Sequence, residues 1–221
     1  MEKIVFFDFC ETLVCFQTAD KFVDFCRIQK KRKSAIFLEK IRVFLVWFYV
    51  FRFLSKILPE NNFHKQFKLF QLKDFTIIEL DELAKSFYEI DIKPNLISCI
   101  VNEMEVKKLQ NYKIVIVSGG YSIYLKYFCQ DYNVDLLIAT DINFISNVCN
   151  GRINGLDCLN ENKVTKIKRE IDISKYIDSI AYSDSITDLP LFNFVKTGIV
   201  VSHKISQHWS QNLGFKEIIW I

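Results

Sequence analysis

Residues 3–12 read Lys3-Ile4-Val5-Phe6-Phe7-Asp8-Phe9-Cys10-Glu11-Thr12, an apolar run that stops at an acid. A run with no polar face is the pattern of a parallel strand covered on both sides. An acid delivered at the C-terminal end of such a strand stands where open α/β sheets bind ligands. Working outward, Lys113–Val117 is a second such run and ends in Ser118-Gly119-Gly120. Leu136–Ala139 is a third, Ser179–Tyr182 a fourth that ends in Ser183-Asp184, and Gly198–Val201 a fifth. Helical stretches separate them, among them Tyr121–Gln130 and Glu161–Glu170. Strands alternating with helices predict an α/β fold with a doubly wound, Rossmann-like parallel sheet. Asn147–Cys158 carries Asn150-Gly151 and Asn154-Gly155, which predict the turns of a small hairpin.

The alternation stops between about residues 16 and 108, a stretch rich in Phe, Leu, Ile and Lys and poor in turn residues. Its simplest description is an all-α insertion after the first strand, dividing the chain into a core of 1–15 plus 109–221 and a helical cap of 16–108. Charge separates the two as well. Residues 20–70 hold 12 Lys/Arg against 4 Asp/Glu, a local +8, so with +3 overall the remainder carries −5. At 221 residues the chain is long enough for one large domain, or one with an insert. With 50% hydrophobic and 25% charged residues it is neither disordered nor fibrous. A net charge of +3 gives no case for nucleic-acid binding. The seven cysteines form no CxxC pair, which argues against a zinc site or disulfide framework. No leader precedes the strand-like run at Lys3, so a reducing, cytoplasmic setting is expected.

Four points converge on strand C-termini or the helices that follow them: Asp8, Ser118, Lys163, and the pair Asp184 and Asp188. Three carboxylates sharing a cleft repel one another unless a cation joins them, and an oxygen-only set suits Mg²⁺. Thr12, Ser118, Lys163 and the Gly119-Gly120 backbone supply what a phosphoryl group needs, namely hydroxyl and N–H donors with an ammonium to offset its charge. Each residue alone is ordinary, since acids at strand ends and helix starts are common. Their joint occurrence in this order carries the inference.

That order resembles the haloacid dehalogenase-like superfamily, particularly its phosphoserine phosphatase-like branch. The first motif there, Asp-x-Asp-x-Thr, stands here as Asp8-Phe9-Cys10-Glu11-Thr12; the second as Ser118 in Val-Ser-Gly-Gly; the third as Lys163 after Gly151–Gly155; the fourth as Asp184 and Asp188 in Ser-Asp-Ser-Ile-Thr-Asp-Leu-Pro-Leu. The resemblance covers about residues 1–16 and 109–205. It implies that Asp8 is a nucleophile forming an aspartyl-phosphate on a small phosphorylated substrate. It implies that Mg²⁺ is held by Asp8, the Cys10 backbone carbonyl and Asp184, with Asp188 acting through water or by orienting Lys163. Thr12, Ser118, Gly119 and Lys163 would hold the phosphoryl group.

The sequence departs from the family at Cys10, where the phosphatases carry the acid that protonates the leaving oxygen and later activates water. Such help is worth about 10²–10⁴-fold in rate. Gln17 likewise stands where an acid would grip the amine of phosphoserine. A weakly catalytic phosphate-binding or partner-binding protein is therefore one alternative. Another is an enzyme of a membrane surface: Lys30–Lys33 is a basic run, and Val43–Phe51 is nine consecutive apolar residues within 35–58, which fits either a buried cap helix or an interfacial helix on anionic lipid. His203 and His208 have no ligand in register and read as surface residues.

Overall fold

The computed structural model describes residues 2–29 and 63–221. Seven strands form one sheet: β1 (Glu2–Phe7), β2 (Tyr112–Tyr121), β3 (Leu136–Ile145), β4 (Val148–Asn154), β5 (Tyr176–Ser183), β6 (Thr197–His203) and β7 (Lys216–Trp220). Their spatial order is β4-β3-β2-β1-β5-β6-β7. All pairs are parallel except β3 with β4. The chain winds outward from β1 through β2 and β3, then returns to its other side with β5, so the order reverses at β1. That reversal is where α/β sheets open a crevice for ligands.

The two faces of the sheet follow the period-2 alternation of side chains. Val5 and Phe7 share one core with Ile114, Ile116, Ile180, Tyr182 and Val201. Ile4 and Phe6 share the other with Val115, Val117, Ala181, Val200, Ile167 and Leu191. All four β1 side chains are fully buried, which is why this strand reads as a continuous apolar run.

Eight α-helices surround the sheet among the described residues: α1 (Thr18–Gln29), α2 (Phe63–Phe70), α3 (Ile77–Phe87), α4 (Ser98–Leu109), α5 (Ser122–Asp131), α6 (Glu161–Glu170), α7 (Leu189–Phe194) and α8 (His208–Leu213). Thr76 and Glu79 form a reciprocal capping box that starts α3. The helix loosens into a π turn at Tyr88–Ile92 before Pro94. Between β1 and β2 the described elements are helical, and α1, α3 and α4 share one apolar core with the sheet through Phe22, Leu80, Phe87, Ile100 and Met104. The basic run at 30–33 and the apolar segment at 35–58 lie outside the described residues. No helix among the described residues is long and apolar enough to cross a membrane.

The hairpin differs from its expected form. The β3–β4 turn falls at Ser146 and Asn147, both at positive φ (49° and 66°), and not at Asn150-Gly151. Gly151 lies inside β4 at φ 73° because α2 crosses there. A Cβ on Gly151 would stand 2.9 Å from the Phe70 Cα, and Gln66 of α2 donates to the Gly151 carbonyl (2.8 Å). Glycine here serves close approach as well as backbone sign. The edge strand β4 falls within the stretch expected to form a hairpin, whereas no pattern in the sequence marks the other edge strand, β7.

Candidate active site

The backbone amide of Asp8 donates to the Tyr182 carbonyl (2.9 Å), extending the β1–β5 ladder one step past the strand. Phe7 and Tyr182 stack beneath it with ring centroids 4.5 Å apart. These contacts fix Asp8 at the C-terminal end of the central strand, beside the ends of β2 and β5. A cleft of about 260 Å³ opens there, lined by Asp8, Cys10, Ser118, Lys163, Asp184 and Asp188 among others.

Lys163 comes from the first turn of α6 and is 2% exposed. Its Nζ donates to Asp8 Oδ1 (2.7 Å) and to Asp188 Oδ2 (2.6 Å), joining the ends of β1 and β5 through one ammonium. Asp188 Oδ2 also accepts from the Ser183 hydroxyl. Burial opposes the Lys163 charge, yet the two carboxylates outweigh it and hold its pKa above the ordinary lysine range. Burial pushes Asp8 up to about 6 against the pull of Lys163, and Asp188 adds to the rise. Asp184 goes up to about 7, first through burial and then through the charges of Asp8 and Glu11.

Ser118 sits where β2 loses register with β3, between the pairs Ser118↔Ala139 and Tyr121↔Thr140. Gly119 and Gly120 occupy that irregularity. The Gly120 amide donates to Ser118 Oγ (3.0 Å), which leaves the hydroxyl proton to be given to a ligand. Gly120 is required by its neighbours, since a Cβ there would meet the Tyr124 hydroxyl at 2.7 Å.

Thr12 does not line the cleft. Its hydroxyl donates to Asp184 Oδ1 (3.2 Å) and accepts from the Asp184 amide (3.0 Å), and the residue is fully buried. In this structure Thr12 places Asp184 and has no face toward a phosphoryl group. Cys10 does face the cleft. Its Sγ lies 3.0 Å from Thr18 Oγ1 and accepts from the Thr18 amide (3.5 Å), and the Thr18 hydroxyl lies 2.6 Å from that of Tyr124. Burial, aided by the Asp8 charge, pushes the Cys10 thiol up to about 11, so it keeps its proton at neutral pH. Glu11 turns outward at φ 57° and accepts from Gln17 (2.6 Å).

Two groups at the cleft belong to no motif of the sequence. Lys65 of α2 lines it, and the Thr18–Tyr124 pair backs Cys10. A hydroxyl opening the helix just after the first motif was a signal for Thr18; Lys65 had none, being one of 29 Lys and Arg.

No three His, Cys, Asp or Glu side chains among the described residues are gathered closely enough to enclose a metal by themselves. Asp8 and Asp184 nevertheless line one cleft; burial raises both carboxyls, and the Asp8 charge adds to the rise at Asp184. Mg²⁺ fits such a pair, because it keeps several waters and needs only one or two carboxylates.

Residues 5–193 match the family described as haloacid dehalogenase-like hydrolase. The chain belongs to that family. Solved structures of the same fold include a protein of unknown function from Bordetella pertussis Tohama I, with TM-score 0.81 and 21% identity over 99% of this chain and 98% of that one. A substrate-bound phosphoserine phosphatase complex has TM-score 0.65 and 18% identity, covering 99% and 93%. Cytosolic 5'-nucleotidase IIIB bound to cytidine has TM-score 0.63 and 12% identity, covering 99% and 80%. At these identities the likeness is one of fold. No curated protein matches the chain.

Proposed function

We propose that this haloacid dehalogenase-like protein is a Mg²⁺-dependent phosphatase or phosphotransferase that acts on a small phosphorylated metabolite through an aspartyl-phosphate at Asp8. The observation that carries this is the Lys163 ammonium bridging Asp8 and Asp188 at the switch point of the sheet, beside a Ser118 hydroxyl with a proton to donate. Membership of a hydrolase family supports it, as do fold neighbours named as a phosphatase and a nucleotidase.

The Asp8 carboxylate attacks phosphorus, the bond to the leaving oxygen breaks, and the phosphoryl group passes to Asp8. Ser118 and the Gly119 amide hold phosphoryl oxygens. Lys163 keeps the Asp8 carboxylate in place and offsets its charge, while Thr12 holds Asp184. Asp8 and Asp184 would bind the Mg²⁺ together with the Cys10 carbonyl, and the ion would supply charge neutralisation for the phosphoryl group. Cys10 offers the leaving oxygen only a thiol proton and offers water no base. Leaving groups that depart without a proton, as in acyl or aryl phosphates, are therefore the substrates favoured. The whole of 16–108 is proposed as the cap that selects among them.

Phosphate release from acetyl phosphate, p-nitrophenyl phosphate, phosphoserine and glycerol phosphate, each with Mg²⁺, tests the assignment. Asp8→Asn should remove turnover of every substrate that the wild type cleaves. Retention of wild-type rates by that variant would overturn the role of Asp8.

A further inference from the structure

Lys65 brings a second buried ammonium to the cleft from a part of the chain that carries no motif. It is 8% exposed. Its Nζ donates to the Gly119 carbonyl (2.6 Å), to Thr140 Oγ1 (3.2 Å) and to the Asp157 carboxylate. Thr140 donates to the same Asp157 oxygen (2.7 Å) and accepts from the Cys158 amide (3.0 Å). The Lys65 ammonium also lies 5.4 Å from the centre of the Tyr121 ring. Lys65 is thus held from several sides, and α2 is itself anchored on β4 through Gln66 and Gly151.

The Gly119–Gly120 peptide is gripped at both ends. Lys65 takes its carbonyl, and Ser118 Oγ takes its N–H. Rotation of that plane would swing the Gly120 amide off Ser118 Oγ and change which way the Ser118 proton can be given. Glycine on both sides makes such rotation cheap unless something opposes it. The ion pair is also oriented: Lys65 lines the cleft and Asp157 does not, so the positive end faces an incoming anion. Lys163 already serves two carboxylates, so Lys65 adds a second positive group to the cleft.

We propose that Lys65 is a positioning residue for phosphoryl binding, acting by locking the Gly119–Gly120 peptide and by presenting the positive end of its pair with Asp157 to the cleft. This rests on the phosphoryl-transfer assignment above. Because the Ser118 hydroxyl aimed by the locked peptide would meet the phosphoryl group in both the bound substrate and the transition state, loss of the lock should act on KM and leave kcat nearly unchanged.

The test uses inorganic phosphate and vanadate as inhibitors of p-nitrophenyl phosphate turnover with Mg²⁺. It compares wild type, Lys65→Met and the double variant Lys65→Met/Asp157→Asn. In Lys65→Met the inhibition constants and KM should rise about tenfold or more, the range for losing a charge-assisted hydrogen bond. The double variant also neutralises the half-buried Asp157 with which Lys65 pairs, so it should recover thermal stability and still bind phosphate weakly. Unchanged phosphate inhibition in both variants, with only the melting temperature moving, would overturn the proposal and leave the assignment of the reaction standing. A wild-type protein that neither turns over phosphoesters nor binds phosphate would overturn both.

Discussion

Lys163 and Lys65 stand in the walls of one cleft, both buried, and they are built in opposite ways. Lys163 holds two carboxylates with one ammonium, which holds its pKa up despite burial. Lys65 has one carboxylate, one carbonyl and one hydroxyl, and burial prevails over Asp157 to lower its pKa. The first lysine is the cation of an acidic cluster that would collapse into repulsion without it. The second is a cation held against a backbone carbonyl, where its service is geometric. Two residues of one type, about equally buried, therefore differ in what their loss should cost.

Lys163→Met should produce the larger effect. It leaves Asp8 and Asp188 facing each other without a cation, and breaking a buried pair in this way costs about 3–5 kcal/mol of stability. Lys65→Met leaves Asp157, whose side chain is 14% exposed and still accepts from Thr140; a loss nearer 1–3 kcal/mol is expected. Urea denaturation of both variants without Mg²⁺ checks the ranking. At pH 5 the Lys163→Met deficit should shrink, since protonation removes the uncompensated charge. Equal losses at both pH values would erase the distinction between the two lysines.

This contrast also explains what could be read in advance. Asp8, Ser118 and Asp184 each follow or close an apolar strand, so the strand pattern places them at the C-terminal ends of the sheet, while Lys163 is ordinary alone and takes its place only from the joint order of the motifs. Lys65 lies on a short helix whose position depends on the Gly151 backbone 86 residues later, and no local pattern encodes that contact. Thr12 shows the other limit. A hydroxyl four residues past the nucleophile looked free for phosphate, but the chain turns at Glu11 (φ 57°) and commits it to Asp184. Asn150-Gly151 is similar: a strong turn signal is used instead to let α2 approach a strand.

Another group of the same cleft is probed by Cys10→Asp. The Thr18 amide already donates to residue 10 and the Thr18 hydroxyl lies 3.0 Å from it, so a carboxylate there has hydrogen-bonding groups within reach. Glycerol phosphate turnover should rise by about 10²-fold or more, the usual range for a placed acid–base group. Formation of the aspartyl-phosphate from acetyl phosphate should rise much less, and burst kinetics would separate the two steps. An unchanged rate on both substrates would mean that some other group handles the proton.

The smallest effect separates the two lysines by pH. Asp8 and Asp184 have folded-state pKa values of about 6 and about 7, above their ordinary value near 3.8. Their contribution to stability is present below pH 3.8 and is lost as pH rises through 6 to 7, because the folded state binds the extra protons. Lys65 is lowered from 10.5, so the unfolded chain binds the extra proton and stability rises with pH on approach to that value. Without Mg²⁺, Asp184→Asn should melt a few degrees above wild type at pH 7.5, since a 1 kcal/mol change moves Tm by about 2–4 °C at this size. The gap should close by pH 4, and Lys65→Met should not alter it. Millimolar Mg²⁺ should then raise the wild-type melt by mass action and leave Asp184→Asn unmoved. If the gap were the same at pH 4 and 7.5, Asp184 would not titrate with the fold. If Mg²⁺ shifted both proteins equally, the ion would bind elsewhere, and the crowded carboxylates beside Lys163 would need another explanation.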